Sequence, residues 1–236
     1  MMRNPHNWVT KSHTLRRKRD LEEMQTDACK ATSANAYSWI KKGNITMEFA
    51  RNAESILDVG CGWGRELSRL KTAIGIDTCL PFLKTARHYV KNDVILADAR
   101  YLPFKGNSFD FAVISEVIEH ITNPIKVLGE VKRVLKFKGE FLIQTPNKLL
   151  TLGKFISSGE CGHVHEYVFL ELRNLLTSLG FRILQKTGST IPYVPSTSKL
   201  ERLNHSRLFF SIWKSLDTIV PFKWDIIILS EMIGDK

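Results

Sequence analysis

The chain has 236 residues, 43% of them hydrophobic and 25% charged, with a formal net charge of +10. That length and balance fit one soluble globular domain with decorations and exclude a low-complexity or collagen-like chain. No apolar run approaches the ~18–20 residues that span a bilayer, and the start, "MMRNPHNWVTKSHTLRRKRD", lacks the apolar core of a signal peptide.

Cys29, Cys61, Cys79 and Cys161 lie far apart without a Cys-x-x-Cys pair, which points to reduced thiols in a cytoplasmic protein. The basic balance suits an anionic partner such as RNA or an acidic lipid surface, and equally a solvated basic face.

Residues 1–50 read as a helical lid, with Gly43 ending its second helix. A different rhythm begins near residue 55. "SILDV" is a short buried strand followed by the glycine turn "GCGWG", and "RELSRLKT" is a helix. "AIGID" is the second strand, "CLPFLKTARHYVKN" a helix with Pro81 in its first turn, and "VILAD" (94–98) the third strand. "FAVISEV" (111–117) is the fourth strand. A helix over 123–139 follows, with Ile125, Leu128, Val131 and Leu135 apolar and Gly139 closing it; "EFLIQTP" is the fifth strand. "HEYVFLELRNLLTSLGF" is a helix, "RILQKTGS" a strand, residues 197–221 an apolar-rich helical insert, and "WDIIILSEM" the last strand. Alternating strands and helices predict an α/β domain over 51–236, its sheet covered by helices on both faces.

Ligands of such sheets sit beyond the carboxyl ends of the strands, where strand order reverses. The first strand–turn–helix unit supplies that place, and its glycines allow close backbone approach. Dinucleotide enzymes use G-x-G-x-x-G. Here Gly60, Gly62 and Gly64 are spaced G-x-G-x-G, with Arg65 next, a compact turn suited to an amino-acid tail. Asp77 at the end of strand two is placed to accept ribose hydroxyls, and Asp98, closing strand three, to meet an adenine amino group.

"ILDVGCGWG", "GIDTCLPFLKTAR", "ADARYLPFKGNSFDFAVISEVIEHI", "EVKRVLKFKGEFLIQTPN" and "HEYVFLELRNLLTSLGF" occur in an order that resembles the class I S-adenosylmethionine-dependent methyltransferases, of the ubiquinone-biosynthesis-like type. The resemblance implies a Rossmann-like seven-stranded sheet of order 3-2-1-4-5-7-6 with strand seven antiparallel. It also implies S-adenosylmethionine as cofactor. Asp58, Gly60, Gly62 and Gly64 would shape the pocket for its methionine tail, Asp77 would bind ribose, and Asp98 with the backbone near Ala99 would bind adenine. Ser115 and Glu116 would line the floor beside the sulfonium.

"EVIEHI" and "GHVHEY" together resemble the metal site of small-RNA 3′-terminal 2′-O-methyltransferases and of ubiquinone-pathway O-methyltransferases. On that likeness Glu116, Glu119 and His120, with His163 or His165, would hold Mg²⁺ or another divalent ion. The alternative makes His120 a general base without metal. The resemblance gives substrate choice to residues 1–50 and 186–222. The aromatics Phe209, Phe210, Trp213, Phe222 and Trp224 there would line an apolar pocket, meet a membrane surface, or pack a lid. The expected acceptor is a small-molecule oxygen or nitrogen. An RNA ribose hydroxyl is the alternative, as is a non-catalytic S-adenosylmethionine-binding protein. The oligomeric state is left open.

Overall fold

The computed structural model describes residues 42–151, 162–188 and 225–233. Most of the predicted N-terminal lid, the whole 197–221 insert, Cys29 and Cys161 lie outside these residues. Seven strands, β1 (Ile56–Val59), β2 (Ala73–Asp77), β3 (Asp93–Leu96), β4 (Phe109–Ser115), β5 (Leu135–Pro146), β6 (Phe181–Thr187) and β7 (Asp225–Met232), form one sheet. Its order is β3-β2-β1-β4-β5-β7-β6. The strands β1 to β5 pair in parallel, and β7 runs antiparallel to both β5 and β6. This is the sheet that the resemblance implies.

Helices α1 (residues 42–49), α2 (Leu80–Tyr89), α3 (Pro124–Val134), α4 (Lys148–Thr151) and α5 (Phe169–Ser178) accompany it. The central strands β1 and β4 are buried at every residue but the half-buried Asp110, as short apolar strands covered on both faces must be. Alternate residues serve opposite faces. Leu57, Val59, Ile114, Leu128, Phe141 and Leu176 share one core, while Ile56, Phe111, Val113, Leu83 and Leu142 share the other.

Several local expectations are corrected. The helix expected over 65–72 is a turn ending in a single 3-10 turn, Leu67–Arg69. Asn92 Nδ2 donates to the carbonyls of Leu67 (2.6 Å) and Leu70 (3.0 Å), which an α-helix continuing beyond them would engage. The segment also lies flat on β2, where a Cβ on Gly75 would come within 2.4 Å of Leu67. Strand β3 stops at Leu96, so Asp98 stands beyond it.

Helix α3 begins as read, at Pro124 after an Asn123 side chain that accepts from Lys126 N–H at 3.2 Å. It ends at Val134 rather than near Gly139. Asn107 and Ser108 donate their N–H groups to the Arg133 and Val134 carbonyls (3.1 and 2.8 Å), and Leu135 is drawn into pairing with Phe109. Gly139 instead follows left-handed Lys138 inside β5, where a Cβ would press on the Lys136 carbonyl at 2.8 Å. Ile125 faces outward; Val127, Leu128, Val131 and Val134 form the buried stripe.

Helix α5 starts at Phe169, leaving His165 in the preceding loop. Gly43 lies in the first described turn of α1, and the helix continues past it to residue 49 instead of finishing there. The Arg69 side chain packs where its Cβ would be. Among the described residues no helix is long and apolar enough to cross a membrane.

Candidate functional site

The carboxyl ends of β1 and β4 meet where the strand order reverses, and the glycine turn crosses that edge. Gly60, Gly62 and Gly64 all take positive φ (78°, 54° and 83°), which explains glycine at each. Their surroundings differ. A Cβ on Gly60 would strike Val117 at 2.4 Å, and one on Gly64 would strike Val90 at 2.7 Å. A Cβ on Gly62 would meet nothing within 4 Å. Gly60 and Gly64 are therefore set by packing, and Gly62 faces open space. Trp63 beside it packs edge-on against Phe82 at 5.3 Å.

Asp77 ties this turn to β2. Its Oδ2 accepts from Gly62 N–H at 2.9 Å and its Oδ1 from Cys79 N–H at 2.7 Å. Asp58, one strand over, is 2% exposed, and its Oδ2 has no hydrogen-bond partner among the described residues. Burial, then the charge of Glu66, pushes its pKa well above the ordinary carboxylate range. Glu66 is likewise buried, with one unpartnered oxygen. Arg65 reaches Glu66 at 3.3 Å and the Ser115 hydroxyl at 3.5 Å. Burial and the charges of Asp58 and Asp77 push the Cys61 thiol up, so it stays protonated.

Asp98 is engaged by its own neighbour. Arg100 donates Nε to both carboxylate oxygens (3.0 Å each) and a terminal nitrogen to Oδ2 at 2.5 Å. Ala99 occupies the turn between them. Asp98 thus enters the site edge as a neutralised pair rather than as a bare acid.

Ser115 is the last residue of β4 and is buried. Glu116 follows with φ +57°, a conformation that costs a non-glycine residue about 1–3 kcal/mol and that clusters at functional sites. Its N–H donates to Gln144 O at 2.9 Å. Its carboxylate meets Lys42 Nζ at 2.9 Å, and the same ammonium lies 2.9 Å from Asp225 Oδ1. Burial alone would lower the Lys42 pKa, but the charges and hydrogen bonds of Asp225 and Glu116 outweigh it and hold the ammonium form. The sequence reading missed this ion triad, because its members come from α1, the residue after β4, and β7.

The next turn, Ile118–His120, carries a second cluster. Glu119 is fully buried; Oε2 accepts from Thr145 Oγ1 at 2.9 Å and Oε1 has no partner. Burial, then the Glu116 charge, raises its pKa well above the ordinary range. The Glu119 carbonyl accepts the N–H groups of Val164 (2.8 Å) and His165 (3.1 Å), which brings the distal His loop to the turn. His120 and His163 stack edge to face at 4.7 Å. One ligand atom each from Glu119, His120 and His163 lie within 4.8 Å of one another.

A carbonyl can only accept, so His120, whose Nδ1 lies 3.2 Å from Gly162 O, carries its proton there; the lone pair of the neutral ring is on Nε2. His163 Nδ1 lies 3.4 Å from Glu166, a buried acid that the sequence reading also missed. Of the five candidate metal ligands, Glu119, His120 and His163 converge. Glu116 belongs to the Lys42 triad, and His165 pairs with Glu171 at 2.6 Å.

A family model described as "Methyltransferase domain" matches residues 57–143, from β1 into β5. The chain is 35% identical over 113 residues to the uncharacterized protein MJ1252 of Methanocaldococcus jannaschii, a match covering 48% of this chain and 45% of that one. It is 32% identical over 151 residues to the uncharacterized protein MJ1123 of the same organism, covering 61% and 73%. The chain thus spans less than half the length of the first relative. A solved structure titled as a SAM-dependent methyltransferase, possible histamine N-methyltransferase, from Thermotoga maritima superposes with a TM-score of 0.69 at 17% identity. That match covers 91% of this chain and 98% of that one, and it speaks to the fold alone. With the family model laid over the glycine turn and the β4 edge, residues 57–143 are a methyltransferase domain of the class I S-adenosylmethionine-dependent type.

Proposed function

We propose that this protein transfers a methyl group from S-adenosylmethionine to an oxygen or nitrogen of a small molecule. The observation that carries the reading is the buried Asp58 oxygen without a partner, beside Glu66 and Asp77, under a turn whose Gly62 faces open space. An uncompensated buried acid is costly until a cation reaches it. S-adenosylmethionine brings an ammonium and a sulfonium on a ribose and adenine frame. Asp58, Gly60, Gly62 and Gly64 would hold the methionine tail, Asp77 the ribose, Asp98 and Ala99 the adenine edge, and Ser115 and Glu116 the floor.

Bound cofactor supplies a methyl carbon already activated by its sulfonium for in-line displacement. The protein's share is alignment, exclusion of water and removal of one acceptor proton. His120 holds its own proton on Nδ1 toward Gly162 and offers Nε2 as the base. Transfer of isotopically labelled methyl to a panel of hydroxyl and amine compounds, with RNA as a parallel panel, tests the acceptor. Labelled small molecules support the reading, and label on ribose hydroxyls alone would overturn the acceptor class. Tight cofactor binding without transfer to any acceptor would make the protein a binder. His120→Ala should slow transfer by about 10²–10⁴-fold with cofactor affinity unchanged.

A second reading of His120 is favoured by its convergence with Glu119 and His163. The donor set fits a metal: Glu119 Oε1 is buried without a partner, and each imidazole directs Nδ1 to an oxygen, as ligating histidines do. Two imidazoles and one carboxylate suit Mn²⁺, Fe²⁺ or Zn²⁺ better than Mg²⁺. Such an ion would lower the pKa of an acceptor hydroxyl. Calorimetric titration of the chelator-treated protein with Mn²⁺ and Zn²⁺ decides it. A stoichiometric site lost in His163→Ala supports the metal, and no binding leaves His120 as the base.

A further inference from the structure

We propose that Lys42 is a positioning residue for the cofactor floor, and that through it helix α1 is coupled to cofactor binding. The inference rests on the reading that Glu116 lines the S-adenosylmethionine pocket. Glu116 holds a left-handed backbone conformation that a glutamate keeps only where its neighbours enforce it. Two restraints do so: Lys42 on its carboxylate at 2.9 Å, and Gln144 O on its N–H at 2.9 Å.

Both restraints lead back to one helix. Gln144 Nε2 donates to Thr46 Oγ1 at 2.8 Å, and Thr46 Oγ1 donates to Lys42 O at 3.0 Å. Helix α1 therefore grips Glu116 by its side chain and the partner of Glu116 by its amide. All four residues but Glu116 are buried, Gln144 and Thr46 completely. The ammonium also holds Asp225, the first residue of β7, whose register partner is Pro146 at the end of β5. One charge thus joins the floor at β4, the far strand pair and α1. Among the described residues, Lys42 is the cation paired with the Glu116 carboxylate.

A ligand that favours this Glu116 conformation favours docking of α1, and by reciprocity docking raises the ligand's affinity by the same factor. The alternative, that Lys42 merely balances buried charge, makes a different forecast. Lys42→Met removes the ammonium that lies between Glu116 and Asp225. Adding Asp225→Asn restores the original net charge but leaves Glu116 unheld.

The experiment combines calorimetry with S-adenosylhomocysteine, thermal melting, and amide exchange across residues 42–49. In the wild type the ligand should slow exchange in 42–49. Lys42→Met should bind about 5- to 150-fold more weakly. The Lys42→Met/Asp225→Asn double variant should regain melting temperature while its affinity stays low. If Lys42→Met does not fold, the double variant and the wild-type exchange data carry the test. Unchanged affinity in Lys42→Met, affinity that recovers together with stability, or exchange indifferent to the ligand would each overturn the coupling. A wild type that binds neither S-adenosylmethionine nor S-adenosylhomocysteine would overturn the pocket reading itself, and the coupling with it.

Discussion

Asp77 anchors the glycine turn and, on the proposed reading, would also bind ribose; the two roles can be separated. Its two oxygens already accept from Gly62 N–H at 2.9 Å and Cys79 N–H at 2.7 Å. A carboxylate offers about four acceptor positions, more than these two N–H groups use. Asp77→Ala removes both sets of bonds. The two backbone bonds to the charged carboxylate contribute about 1.5–3 kcal/mol each to stability, so the variant should lose about 3–6 kcal/mol of folding free energy. A hydroxyl-to-carboxylate bond contributes about 1.5–3 kcal/mol, which is roughly 10- to 150-fold in Kd. Affinity alone cannot separate a lost ribose contact from a loosened turn. Calorimetry of wild type and Asp77→Ala with S-adenosylhomocysteine and with its 2′,3′-dideoxy analogue does. The wild type should favour the natural ligand by the hydroxyl contribution, and the variant should bind both alike. A variant that still prefers the natural ligand as strongly as the wild type would refute the ribose assignment and leave Asp77 as an anchor of the glycine turn.

Gly62→Ala should fold with a loss of about 1–2 kcal/mol for its left-handed backbone, yet bind S-adenosylhomocysteine at least tenfold more weakly, because its methyl enters the open side of the turn. Gly60→Ala should be the more destabilised of the two in thermal melts, since its Cβ meets Val117 at 2.4 Å; the reverse order would move the cradle elsewhere. Asp58→Asn should stabilise the ligand-free protein by about 0.5–2 kcal/mol at neutral pH and weaken cofactor binding. The raised Asp58 pKa fixes the sign. The folded state favours the protonated form, so ionisation costs the wild type stability as pH rises above the ordinary value near 4. The advantage of Asn, followed by denaturant midpoint against pH, should shrink toward pH 4; an advantage that grows on acidification would contradict the burial argument.

The parts of this molecule that were legible in the sequence are those set by local periodicity. "ILDVG" declares a buried strand and a turn, and the strand–helix alternation gives the sheet. Strand ends share one edge in a parallel sheet, so acids such as Asp58 and Asp77 could be assigned to the site from chain position. Element ends were misread where distant groups claim a backbone carbonyl, as Asn92 does after Leu67 and the 107–108 loop does at the end of α3. What could not be read is which acid meets which counter-charge. The Asp98–Arg100 pair sits two residues apart, yet its consequence, a neutralised edge, needed the geometry. The Lys42–Glu116 pair is separated by 74 residues.

That distribution changes how the site is understood. Taken as letters, Asp58, Asp77, Asp98 and Glu116 are equivalent acids around one ligand. In the fold, Asp98 is matched by Arg100, and Glu116 shares the Lys42 ammonium with Asp225. The acids gathered beneath the glycine turn are Asp58, Glu66 and Asp77, with Arg65 paired to Glu66, and Asp58 ionises there only at a cost until a cation arrives. A cationic ligand should be drawn first to that end, and Glu116, already held, is suited to shape the floor rather than to supply the attraction. On this argument, neutralising Asp58 should cost more affinity for the cationic tail than neutralising Glu116, although the two residues flank the same edge of the sheet.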